Sequence, residues 1–163
     1  MITIHKVQQA DIPEVKYVLS HTWKDTYGSF LSEKTIDKVT TIWHDPEALA
    51  SQAQHPDTYF AIAKDTSGKI VGLITVRKID DKAIFMNRLY IHPDHQRQGI
   101  GSKLYESAIK NFPTAKVMRL EVEEENKKGL SFYLKQGFRE VERKIDEIEG
   151  ETLKTIVMEK TLD

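Results

Sequence analysis

Residues 88–109 read RLYIHPDHQRQGIGSKLYESAI, and this stretch decides the fold. Leu89, Tyr90 and Ile91 end an apolar, β-rich run that begins at Ala83, and a loop follows from His92 to Gln98. Ile100, Leu104, Ala108 and Phe112 then recur at helical spacing. Gly99 and Gly101 let backbone N–H groups turn inward and approach a ligand closely. The start of the helix adds unpaired donors and the positive end of a dipole. Strand, glycine loop and helix start together suit a pyrophosphate. A loop that merely caps its helix is the plain alternative. The P-loop pattern G-x-x-x-x-G-K-[ST] is absent. A dinucleotide fingerprint takes its first two glycines from Gly99 and Gly101 and its ribose-binding acid from Glu121, but Leu104 stands where Gly or Ala is wanted. The loop is also too long for a tight turn directly after a strand.

Toward the N-terminus, residues 83–91 follow residues 58–64 and 69–79 in an antiparallel meander, with turns at 65–68 and 80–82. Before these, residues 2–7 alternate like a strand. Asp11 is placed to cap a helix with Pro13 in its first turn. Ile12, Val15, Leu19, Trp23 and Tyr27 mark that helix, and Gly28 stops it. A second, more polar helix begins at Ser32–Thr35, breaks at Asp45-Pro46 and resumes through Leu49. Toward the C-terminus come a strand at 117–122, a helix closed at Gly137, and strands at 138–148 and 152–159 joined at Glu149-Gly150. The order β-α-α-β-β-β-α-β-α-β-β predicts an α+β class with a mixed sheet. No linker or repeat divides the chain, so residues 1–163 read as one domain.

Composition bounds the function. At 39% hydrophobic and 30% charged residues, the chain reads as a globular protein with a core of its own. A net charge of -1 gives no electrostatic reason to expect nucleic acid or a membrane as partner. The absence of cysteine excludes a thiol nucleophile, a thiolate metal site and a disulfide framework. His92 and His95 flank Pro93-Asp94 without the helical H-E-x-x-H context of a metal pair, so no metal is expected. The first residues, MITIHKVQQADIPEV, do not read as a signal peptide, and a cytoplasmic location is the expectation.

A second block, ENKKGLSFYLKQGF at residues 125–138, makes the reading specific. The first block resembles the coenzyme A-binding motif of the GNAT acetyltransferases, [QR]-x-x-G-x-[GA], with Gln96, Gly99 and Gly101 in place. The second resembles that family's later motif, in which an Asn opens a helix ending in F-Y-x-x-x-G-F. Phe132, Tyr133, Gly137 and Phe138 match it. The resemblance implies a three-layer α+β fold, with a central mixed, mostly antiparallel sheet flanked by helices. It implies an acetyl-CoA-dependent N-acetyltransferase in which a neutral amine attacks the thioester directly.

The resemblance also distributes roles. Leu89, Tyr90 and Ile91 would pair with the pantetheine arm, and the N–H of Leu89 or Tyr90 would polarise the thioester carbonyl. The amides of Arg97, Gln98, Gly99, Ile100, Gly101 and Ser102 would hold the pyrophosphate, and Lys103, Lys127 or Arg97 would meet the ribose phosphate. Asn126 would bind the coenzyme near its reacting end or cap its helix. Tyr133 would protonate the departing thiolate, unless it is a core aromatic. Many relatives carry a Glu about where Asn87 stands. Asn87 cannot act as a base, which leaves Glu121, Glu123, a water chain or no dedicated base. The first two helices and the late hairpin would wall the acceptor, so Trp23 and Tyr27 would line an amine pocket by cation–π attraction or pack in the core. Acids at 123–125 and at Asp146, Glu147, Glu149 and Glu151 would draw a cation or form a solvated face. The acceptor expected is a small-molecule amine such as a polyamine. The alternatives are a protein N-terminus, a lysine, or no acceptor at all in a non-catalytic acetyl-CoA-binding module. A homodimer is compatible with the family.

Overall fold

The computed structural model describes residues 1–162. β1 (Thr3–Lys6) leads into α1 (Ile12–Tyr27), whose Ile12, Val15, Val18, Leu19 and Trp23 are buried at the expected helical spacing. Asp11 does not cap α1. Its carboxylate turns back to accept from the Gln8 N–H at 2.8 Å and from Lys64 at 3.3 Å, because a short 3-10 turn (Gln9–Asp11) precedes the helix. Ser32 opens α2 (Glu33–Trp43) by accepting from the Thr35 N–H at 3.2 Å. Asp45 likewise accepts from the Ala48 N–H, with Pro46 at the first position of α3 (Pro46–Gln54). The break at Asp45-Pro46 is therefore a full boundary, and a third helix is added to the order read from the sequence.

β2 (Thr58–Lys64), β3 (Ile70–Lys78) and β4 (Ala83–Ile91) form the meander. α4 (Ile100–Asn111), β5 (Val117–Glu123) and α5 (Lys127–Lys135) follow, and the hairpin β6 (Arg139–Ile148) and β7 (Glu151–Thr161) closes the chain. One seven-stranded sheet results, in the order β1-β2-β3-β4-β5-β7-β6. Every neighbouring pair is antiparallel except β4 and β5. On one face Ile100, Leu104, Tyr105 and Ala108 of α4 pack on Ile74, Ile84, Met118 and Leu120. On the other, Val15, Val18 and Leu19 of α1 and Leu49 of α3 pack on Phe60, Ile62 and Leu73. This is the three-layer α+β architecture expected. No described helix is long and apolar enough to cross a membrane.

One irregularity places the site. Thr75 pairs with Arg88 and Val76 with Met86, so Asn87 is an extra residue bulged out of β4. Such a bulge bends its strand and sharpens the twist. β4 pairs with β5 only from Ala83 to Met86, against Val117 to Leu120. Past the bulge the parallel neighbours part, and β5 continues along β7 alone.

Candidate active site

A cleft of about 1540 Å³ fills the wedge between the parted strands. Its two ends are made differently. At one end the material is backbone. His92 N–H donates to Val71 O at 2.8 Å, which fixes the alternation of β4 against β3. Antiparallel pairing is met by every second residue. Counting back, Tyr90 directs its N–H to β3, and Leu89 directs its own into the wedge, where no strand pairs with it. Between Leu89 and Tyr90, the free N–H is therefore Leu89's; Tyr90 reaches the cleft by its side chain. The Ile91 carbonyl is already taken, accepting from the Gln96 amide at 3.0 Å.

Beyond Gln96 the chain coils tightly, with Arg97 at φ +65° and Gly99 at φ +79°. A Cβ built on Gly99 would meet nothing within 4 Å, so the loop faces open space at that point. A Cβ on Gly101 would lie 3.3 Å from the Phe132 ring, so Gly101 is what lets α4 and α5 approach. Gly99, Ile100, Gly101 and Ser102 all border the cleft, although the Ile100 side chain turns into the core. The Ser102 hydroxyl accepts from the Gln136 amide at 3.1 Å. Gln98 is exposed and lies outside the cleft. Asn126 borders the cleft and caps α5, its Oδ1 accepting from the Gly129 N–H at 3.0 Å. Its amide nitrogen has no such duty.

The other end is made of side chains. Trp23 and Tyr27 of α1, Tyr90 of β4, Glu123 of β5 and Tyr133 of α5 converge there with the β6–β7 hairpin. Tyr27 donates to Glu123 Oε2 at 2.6 Å, bridging elements far apart in sequence. Burial pushes the Glu123 carboxyl above the ordinary range, the Tyr27 hydrogen bond opposes this, and Glu121 and Asp146 add to it. Burial likewise pushes the Tyr27 and Tyr133 phenols up, and Tyr90 up to about 12. All three phenols are therefore protonated at neutral pH. Tyr133 is half-buried; its ring packs edge-on against those of Phe132 and Phe138, and it borders the cleft.

Trp23 and Tyr27 do not form an open aromatic box. Their rings pack against each other at a tilt of 31° with centroids 4.0 Å apart, and both belong to a small core cluster with Leu31, Ile36 and Val39. A cation–π face is closed off, and what Tyr27 offers the cleft is its hydroxyl on Glu123. Asn87 stands exposed on the bulge and borders the cleft. Glu121 pairs with Lys144 at 3.1 Å, and Asp146 accepts from Thr155 at 2.8 Å.

Two features carry no pattern in the sequence. Arg88 donates to Gln52 at 2.6 Å and to Thr75 at 3.3 Å and lies over the Phe60 ring, a cation among neutral partners. It charges the α3 side of the cleft positive, opposite the acidic β5–β6 side. His92 is not a simple loop histidine: it is buried and stacks on His21 at 5.1 Å. Among the described residues no group of three or more His, Cys, Asp or Glu side chains is arranged to hold a metal ion.

The wedge, the glycine loop and the tyrosine at its mouth can be set beside known proteins. The model of the Acetyltransferase (GNAT) family matches residues 17–138. The chain belongs to the GNAT family. It is an acyltransferase of that family, similar to a spermidine N(1)-acetyltransferase of Thermoplasma acidophilum at 28% identity over 85% of this chain and 88% of that one. An N-acetyltransferase of Lactobacillus delbrueckii subsp. lactis shares 23% identity over 83% of each. Among solved structures, the PaiA N-acetyltransferase from Thermoplasma acidophilum, in complex with coenzyme A, matches 99% of each chain at TM-score 0.85 and 27% identity. A GCN5-related N-acetyltransferase from Rhodopseudomonas palustris matches in fold at TM-score 0.80 and 19% identity, over 98% of this chain and 95% of its own.

Proposed function

We propose that this GNAT enzyme transfers an acetyl group from acetyl-CoA to a primary amine of a small molecule, with a polyamine as the acceptor class. The observation that carries the proposal is the wedge itself: a Leu89 N–H that no neighbouring strand takes up lines one cleft together with Tyr133 and Glu123. The open space at Gly99 fits a phosphate group approaching backbone donors. Arg97, Gly99, Ile100, Gly101 and Ser102 would hold the pyrophosphate, and the pantetheine arm would run along residues 89–91.

The Leu89 N–H polarises the thioester carbonyl and stabilises the charge that develops on its oxygen. Tyr133, held protonated by burial, gives its proton to the leaving sulfur. The polyamine reading is supported by the acids along the β5–β6 side, where Glu121, Glu123 and Asp146 border the cleft, and by the spermidine-acetylating relative. Arg88 directs a cationic acceptor toward that acidic side and away from α3. A thiol-release screen with polyamines, amino acids and short peptides tests the proposal. Release driven best by polyamines supports it; release driven by peptides alone would move the acceptor to a protein.

A further inference from the structure

We infer that Glu123 takes the proton from the acceptor ammonium, with Tyr27 holding its carboxylate in position. The inference rests on the acetyl-transfer reading above. An alkylammonium with a pKa of ~10.4 must lose a proton before its nitrogen can attack. Asn87, on the bulge of β4, has no basic group to offer, so the base comes from another strand.

Four carboxylates of β5 and β6 border the cleft, Glu121, Glu123, Asp146 and Glu147, and Glu147 is exposed to solvent. Glu121 is engaged by Lys144, and Asp146 lies 3.7 Å from the same lysine and accepts from Thr155. Glu123 differs from both. No cation pairs with it among the described residues, and its Oε2 is occupied by the Tyr27 hydroxyl, which leaves Oε1 for a ligand. It sits past the point where β5 leaves β4, and it lines the same cleft as Leu89 and Tyr133. The charged and titratable groups that face it are Tyr27 from α1, Tyr90 from β4, Tyr133 from α5, Glu121 from its own strand and Asp146 from β6. None of these is a cation that would hold its proton off. Burial raises its proton affinity, which makes it a better acceptor, while Tyr27 fixes its rotamer.

Two protons leave the nitrogen in a turnover. The first passes from the ammonium to Glu123 Oε1 and on to solvent. The freed electron pair forms the N–C bond, and the C–S bond breaks with its pair on sulfur. Sulfur takes the Tyr133 proton, and the second nitrogen proton restores Tyr133. The net release is one proton.

Wild-type turnover with an amine carries the acetyl-transfer reading by itself; the ratio of variant to wild type carries only this inference. Glu123→Gln is expected to lower kcat/KM about 100-fold at neutral pH. The loss should shrink as pH rises toward the amine pKa, and shrink also with an amine already neutral at the assay pH. Acetyl-CoA affinity, read by titration, should stay within a few-fold of wild type. Tyr27→Phe removes a hydrogen bond to the charged carboxylate, so the acid limb of the pH profile should move to higher pH, a shift that loss of packing alone does not produce. Glu123→Gln within about threefold of wild type at neutral pH, or a larger loss in Glu121→Gln, overturns the inference.

Discussion

The two ends of the cleft differ in what they are made of. The proposed coenzyme end is backbone: the Leu89 N–H in the wedge, the left-handed turns at Arg97 and Gly99, and the start of α4. The proposed acceptor end is side chains drawn from α1, β4, β5, α5 and the late hairpin, tied by the 2.6 Å hydrogen bond from Tyr27 to Glu123. A backbone site is set by a few residues adjacent in sequence, and it serves a ligand group common to a whole family. A side-chain site is assembled by the fold, and it can change acceptor without changing the frame.

If the two ends are separable, single substitutions should damage one at a time. The largest effect is expected from Tyr133→Phe. It should lower kcat by about 100-fold while acetyl-CoA affinity holds, because the ring that packs on Phe132 and Phe138 is kept and only the proton is lost. A parallel fall in affinity would join the two ends and break the comparison. Gly99→Val should do the reverse. A β-branched residue at φ +79° costs about 1–2 kcal/mol, and its side chain enters the space facing the loop. Titration should show acetyl-CoA affinity down by at least about tenfold.

Asn126 tests the border. Asn126→Ala should cost about 1 kcal/mol of stability in denaturant unfolding through loss of the α5 cap. Asn126→Asp keeps the cap and removes the amide donor. Weaker acetyl-CoA binding in the Asp variant, with stability intact, would assign the free amide nitrogen to the coenzyme.

The smallest effect is in pH dependence. Burial, with Arg88 and Lys16 nearby, lowers His44 to about 4. The folded state therefore resists a proton that the unfolded chain accepts below about 6.5. Stability should fall as pH drops through that window, and His44→Gln should flatten the fall in thermal melts between those limits. His44 borders the acceptor end, so acid should loosen that end first.

The same contrast explains what could be read from the sequence. Gln96, Gly99, Gly101 and the F-Y-x-x-x-G-F block lie in two short runs, and periodicity gave the strands on either side. Seven strands and their order along the chain followed from alternation and turn residues, with strand ends displaced by a residue or two, while α3 runs to Gln54, past the Leu49 to which the helix was read. The position of the bulge at Asn87 was not legible, since it exists only in the register of β4 against β3. That register also decides between the Leu89 and Tyr90 amides, a choice the residue types leave open. The Asp11 cap failed because a preceding 3-10 turn already used that carboxylate. The Tyr27 contact to Glu123 and the setting of Arg88 against Gln52 join residues distant in sequence, and single-chain spacing carries no signal for them.

The central claim is that the wedge between β4 and β5, with its glycine loop, is an acetyl-CoA site. Isothermal titration of the purified protein with acetyl-CoA, with NADH as control, tests it most directly. The account predicts saturable one-to-one binding of acetyl-CoA and no heat of binding from NADH. Binding of NADH without acetyl-CoA, or of neither, would contradict it.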